Sequence, residues 1–223
     1  MCDTRAAAND PYTEARHRMA RDQIEKRGVR DPRVLAAMES VPRHLFVPES
    51  HRAMAYDDGP LPIGEGQTIS QPYIVAFMTE AIRPRPTDRV LEVGTGSGYQ
   101  AAILASLVAE VFSLEIRPAM AESARRQLEA LGCRNVIVRV GDGHHGWPGE
   151  APFDAIVVTA APDEVPPLLD QLRVGGTMVV PIGSEMADAQ DLVRLTRTTQ
   201  GAERETLLPV RFVPMTGDAR RPV

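Results

Sequence analysis

Short apolar runs at residues 90–93, 111–114, 136–140, 155–159 and 177–181 have the near-continuous branched-aliphatic character of strands buried on both faces. Segments with helical spacing lie between them, at residues 100–108, 118–131 (closed by Gly132) and 166–172. Strands alternating with helices imply right-handed βαβ units and a mostly parallel sheet. Two further alternating stretches, residues 192–198 and 206–212, flank a turn at Gln200-Gly201 and predict an antiparallel pair near the C-terminal end.

The first third of the chain reads differently. Residues 13–27 carry an apolar stripe of Ala15, Met19, Ala20 and Ile24 among charges, and Gly28 stops it. Asp31-Pro32 opens a second helix that turns Val34, Leu35 and Met38 inward. Residues 41–70 hold Pro42, Pro48, Pro60 and Pro62 with three glycines, which predicts a long irregular segment anchored by Phe46 and Val47. Pro72 opens a helix that runs to about Ile82. Residues 1–11 are small and polar and predict a mobile tail. The organisation expected is one domain over residues 12–223. Residues 12–82 form an N-terminal helical appendage and a substrate-side segment, and residues 83–223 form an α/β core.

Composition narrows the classes. With 223 residues and 43% hydrophobic content, the chain is long enough for one substantial core. The net charge is −5, Lys26 is the lone lysine and the arginines are scattered, which argues against a nucleic-acid partner. No run approaches the length of a membrane span, and residues 1–20 lack the apolar core of a signal peptide. Two cysteines are too few for a disulfide framework or a metal site. A soluble cytoplasmic monomer is the expectation.

The chemistry centres on Val90-Leu91-Glu92-Val93-Gly94-Thr95-Gly96-Ser97-Gly98-Tyr99, a strand, a glycine turn and the start of a helix. That geometry brings backbone N–H groups against a ligand. Such turns serve dinucleotides, flavins and S-adenosylmethionine alike. Glu92 has two readings: it repels a pyrophosphate and suits a ligand with a cationic amino group and a sulfonium, or it pairs with a nearby arginine. Glu115 ends the next strand, where a carboxylate accepts both hydroxyls of a ribose. Asp142-Gly143 follows the third strand, within reach of an adenine amino group. Together these residues favour S-adenosylmethionine over NAD. The five histidines show no metal-ligand spacing, and His144-His145 reads as a rim position. Ser70 also has two readings: the segment is a helix entry, with Ser70 or Gln71 capping the helix opened by Pro72, or the Ser70 hydroxyl faces a substrate carboxylate.

These pieces resemble the protein-L-isoaspartate O-methyltransferase family. The resemblance runs from about Arg18 to Thr216 and is carried by residues 41–48 (VPRHLFVP), 55–58 (AYDD), 66–72 (GQTISQP), 90–99, 141–143 and 211–216 (RFVPMT). The Thr-Ile-Ser-x-Pro stretch is the specific part. The resemblance implies a Rossmann-like class I methyltransferase fold with a mostly parallel, doubly wound sheet. It implies Ser70 as the active-site serine, and cofactor contacts from Gln67, Thr68, Gly94, Thr95, Gly96, Ser97, Gly98, Glu115, Asp142, Gly143 and Thr216. The reaction implied is methyl transfer from S-adenosylmethionine to the α-carboxylate of L-isoaspartyl residues in damaged proteins and peptides.

Overall fold

A computed structural model describes residues 10–184 and 188–220; of the tail expected over residues 1–11, residues 1–9 lie outside this range. The N-terminal part begins with α1 (Thr13–Arg18), which continues without a break through a π-helical stretch (Met19–Ile24) and a 3₁₀ turn to Gly28. Gly28 adopts φ +105°, the left-handed conformation that ends a helix. Helix α2 (Pro32–Ser40) follows, capped by the Asp31 carboxylate on the Arg33 N–H. Two 3₁₀ stretches, Arg43–Phe46 and Glu49–Met54, follow rather than open coil. A hairpin of β1 (Leu61–Gly64) and β2 (Gln67–Ile69) then leads into α3 (Pro72–Ala81). The stretch expected to be irregular is therefore largely ordered by local hydrogen bonds.

The core contains β3 (Arg89–Val93), α4 (Tyr99–Ala105), β4 (Glu110–Glu115), α5 (Pro118–Ala130), β5 (Val136–Val140), β6 (Phe153–Val158), β7 (Leu172–Ile182), β8 (Gln190–Thr198) and β9 (Gly201–Val210). The seven strands β3–β9 form one sheet in the order β5-β4-β3-β6-β7-β8-β9. The pairs from β5 to β7 are parallel, and β8 and β9 add an antiparallel edge. Strand order reverses between β3 and β6, where ligands of such sheets bind.

One face of the sheet is covered by the N-terminal elements with α3, α4 and α5, and Tyr99, Ile103, Leu104 and Met38 are fully buried there. Loops and the segment around Met215 cover the other face over Leu91, Phe112, Phe153 and Ile156. The helix expected at 166–172 is absent, with one 3₁₀ turn (Leu169–Gln171) in its place. Pro167 disfavours helical backbone at Pro166, the residue expected to open that helix. Cys133 is buried just past α5. No helix among the described residues is long and apolar enough to cross a membrane.

Candidate active site

The glycine turn begins where β3 ends. Gly94 adopts φ +100° and donates its N–H to the Leu114 carbonyl at 2.8 Å. The Thr159 hydroxyl, at the end of β6, donates to the Gly94 carbonyl at 2.6 Å. A Cβ at position 94 would overlap that hydroxyl, so the turn holds its shape only without a side chain. Thr95 points into the protein, and its hydroxyl lies 2.5 Å from that of Ser113 on β4. Ser113 in turn donates to Glu92.

Glu92 thus departs from both expectations. It is fully buried, it is not on the wall of the cleft described below, and its hydrogen-bond partner is a serine rather than an arginine. Its Oε1 has no partner among the described residues. Burial, with the nearby Glu115 charge adding to it, pushes the Glu92 carboxyl up to about 8.

Glu115 is built for acceptance. Its Oε2 takes the Gly96 N–H at 2.8 Å and its Oε1 takes the Arg117 N–H at 3.0 Å. Each oxygen keeps acceptor capacity for a further donor, and the two backbone bonds fix the carboxylate's orientation. The β1–β2 hairpin lies over this turn. Ile63 comes within 3.6 Å of where a Gly96 Cβ would sit, and Glu65 pairs with Arg117 at 3.5 Å.

Residues 213–216 close another side. The Ala161 N–H donates to the Val213 carbonyl at 2.9 Å, and the Met215 N–H donates to the Ala161 carbonyl at 2.7 Å. Asp142 fastens this segment from behind, accepting the His144 N–H at 2.9 Å and the Asp218 N–H at 2.7 Å. His145 Nε2 lies 2.8 Å from the same Asp218 side chain. Asp142, His145 and Asp218 place one ligand-capable atom each within 4.8 Å of one another, but they are engaged in fastening the chain.

These elements enclose a cleft of about 800 Å³, its open mouth included. Gln67, Thr68, Ser70, Gly94, Thr95, Gly96, Ser97, Glu115, Gly143 and Thr216 all line it. Gly98 and Asp142 do not: Gly98 is the N-cap of α4 and packs toward Ala124 and Leu128, and Asp142 holds the wall from outside. Thr159, Ile116 and Arg117 line the cleft without having been singled out in the sequence. The signal for Thr159 was its place at the end of a strand next to the reversal in strand order.

Ser70 sits between β2 and α3. The N-cap of α3 is Gln71, with no side-chain cap, and the Gln71 amide donates instead to Asp58 at 2.7 Å. The capping reading of Ser70 therefore fails. A second cleft of about 1170 Å³, open to solvent, shares Thr68, Ser70, Thr159 and Val213 with the first, so Ser70 stands where the two meet.

The family model described as protein-L-isoaspartate(D-aspartate) O-methyltransferase matches residues 14–220. The chain belongs to this family. Within it, the chain is 59% identical to the protein-L-isoaspartate O-methyltransferase of Synechococcus sp. (strain JA-2-3B'a(2-13)), over 93% of this chain and 88% of that one. It is 55% identical to the enzyme of the same name from Methanoculleus marisnigri, over 93% and 94% of the two chains. A solved protein-L-isoaspartate O-methyltransferase superposes with a TM-score of 0.84 at 31% identity, over 92% of this chain and 67% of that one. The Plasmodium falciparum structure, titled as a putative family member in complex with S-adenosyl-L-homocysteine, superposes with a TM-score of 0.77 at 24% identity, over 90% of this chain and 98% of that one.

Proposed function

We infer that this chain transfers a methyl group from S-adenosylmethionine to the free α-carboxylate of L-isoaspartyl residues in damaged proteins and peptides. The observation that carries this reading is Ser70 at the junction of two clefts, in a chain that matches the family over nearly its whole length.

The residues present suit the cofactor. Glu115 offers two oriented acceptors to a ribose diol, and Gly96 on the cleft wall has no Cβ to hold a ligand off its backbone. Gly143, Thr216, Gln67 and Thr68 complete the wall. Bound there, the cofactor supplies an electrophilic methyl carbon on a sulfonium sulfur.

The chain's own work is alignment. The acceptor carboxylate is an anion at neutral pH, since such groups titrate near ~4. No general base is required, and no histidine lines either cleft among the described residues. The Ser70 hydroxyl orients the carboxylate without adding a full charge, and the nucleophilic oxygen, methyl carbon and sulfur must lie in line. Attack neutralises two opposite charges, so walls such as Val93, Leu114 and Met215 favour the transfer by excluding water. A backbone amide nitrogen then attacks the ester carbonyl and expels methanol, giving a succinimide whose hydrolysis by water returns part of the chain to normal aspartate.

As part of the same proposal, the enzyme acts as a cytoplasmic monomer, where S-adenosylmethionine is supplied. Nucleic acid is not a substrate, in keeping with the net charge of −5. The decisive experiment is radiolabelled methyl transfer to two peptides that differ only in isoaspartate against aspartate. Label should appear on the isoaspartyl peptide alone; equal labelling of both overturns the reading.

A further inference from the structure

The cleft beyond Ser70 differs in charge from the rest of the molecule. Its ionisable wall residues are Arg27 and Arg211, and no carboxylate lines it among the described residues, although the chain as a whole carries a net charge of −5. Its remaining walls are mainly apolar, with Ile74, Leu208 and Phe212 among them.

The two arginines are held differently. The Arg27 guanidinium lies 3.6 Å from the centre of the Tyr73 ring and pairs with Asp58 at 3.0 Å. Asp58 also takes the Gln71 amide, so Arg27 is fixed beside the residue that follows Ser70. Arg211 donates its Nε–H to the Asp188 carbonyl at 2.8 Å and forms no ion pair among the described residues. A carbonyl does not cancel a charge, so Arg211 presents a full positive charge to the groove.

We propose that this groove seats the stretch of peptide on either side of the isoaspartyl residue, and that Arg211, with Arg27, selects acidic neighbours over basic ones. The proposal rests on the isoaspartyl reading above. Continuity supports it: a carboxylate placed at Ser70 lies at the edge of a groove that shares Thr68, Ser70, Thr159 and Val213 with the reaction site, so the chain flanking it can run into that groove. Charge complementarity supplies the preference. A cationic rim on an acidic protein raises the local concentration of anionic peptides and repels cationic ones.

Four peptides test this, isoaspartyl and aspartyl versions with either glutamates or lysines as neighbours. At low salt, kcat/KM for the glutamate-flanked isoaspartyl peptide should exceed that for the lysine-flanked one by roughly three- to tenfold, mostly through KM. The ratio should shrink toward one at about 0.5 M salt, where the screening length is only a few ångströms. Arg211→Gln should lower the ratio and Arg211→Glu should invert it. A merely structural role for Arg211 would depress both peptides alike and leave the ratio unchanged. A ratio near one in the unaltered enzyme, or one insensitive to salt, overturns the proposal without needing any variant to fold. Labelling of isoaspartyl over aspartyl peptides without flank preference rejects this inference alone. No label on any isoaspartyl peptide rejects the activity as well.

Discussion

A serine beside a helix start can bond the helix or stay free for a ligand, and position 70 is decided by its neighbour. Gln71 takes the N-cap place and turns its amide to Asp58, which leaves the Ser70 hydroxyl at the cleft. Ser70→Ala should lower turnover by roughly 10²-fold, the scale of a lost alignment contact, while S-adenosylhomocysteine affinity measured by calorimetry changes little. Equal losses in both would make Ser70 a general support of the cleft. Glu92 carries the other residue-scale lesson. An acid in the strand before a glycine turn reads as a ligand contact, yet its side chain turns into the core toward Ser113. The inward turn follows strand alternation: Val93 reaches the cleft, and Glu92 faces away from it. Folding raises the Glu92 carboxyl from 4.5 to about 8, so between these values the folded chain holds a proton that the unfolded chain has lost. Its contribution to stability is therefore full below pH 4.5, is lost as pH rises toward 8 and is flat above. Glu92→Gln removes this titration. The variant should gain on the parent by up to ~1.4 kcal/mol per pH unit in that window, measured by urea unfolding. Parallel pH profiles for the two proteins would mean that Glu92 is ionised in the fold.

At the scale of elements, the substrate-side segment divides into a fixed part and a covering part. Arg43 is fully buried, and its Nε–H donates to the Ala55 carbonyl at 2.7 Å, which pins residues 43–55 to the core. Burial pushes its guanidinium down to about 10, a measure of how dry that anchor is. The β1–β2 hairpin has no buried polar anchor of this kind among the described residues; the buried Ile69 holds its base, while its tip rests on Gly96 through Ile63 and on Arg117 through Glu65. We therefore expect lid behaviour from residues 61–69 and not from the pinned residues 43–55. Amide hydrogen exchange at 61–69 should slow when cofactor and isoaspartyl peptide bind together, with residues 43–55 unchanged. Uniform exchange across the whole segment, with and without ligands, would remove the lid. The prolines and glycines of this segment signalled broken structure. They could not signal a hairpin, because Leu61 pairs with Ile69 only by virtue of the turn between them.

For the whole molecule, the cleft exists because β3 lies between β4 and β6, bringing Gly94, Glu115 and Thr159 to one mouth. Binding there should stabilise the entire fold. S-adenosylhomocysteine at about 100 times its Kd should add ~2.7 kcal/mol, a rise in Tm of roughly 5–10 °C for a chain of this size. Gly94→Ala, which drives a Cβ into Thr159 from a left-handed backbone, should abolish that increment in a thermal-shift measurement. An undiminished shift would place the ligand away from the turn. By itself the sequence determined the strands, the glycine turn, the acid at the end of β4 and the family motif around Ser70, because periodicity, glycine spacing and local motifs are carried by neighbours along the chain. Only the tertiary structure decided that Glu92 faces inward, that Asp142 fastens the wall from behind, that a single 3₁₀ turn replaces the helix expected at 166–172 and that two arginines share one groove. Those outcomes depend on which surfaces meet across the sheet. Residues such as Arg27 and Arg211, 184 positions apart, acquire a common role only when folding brings their segments together.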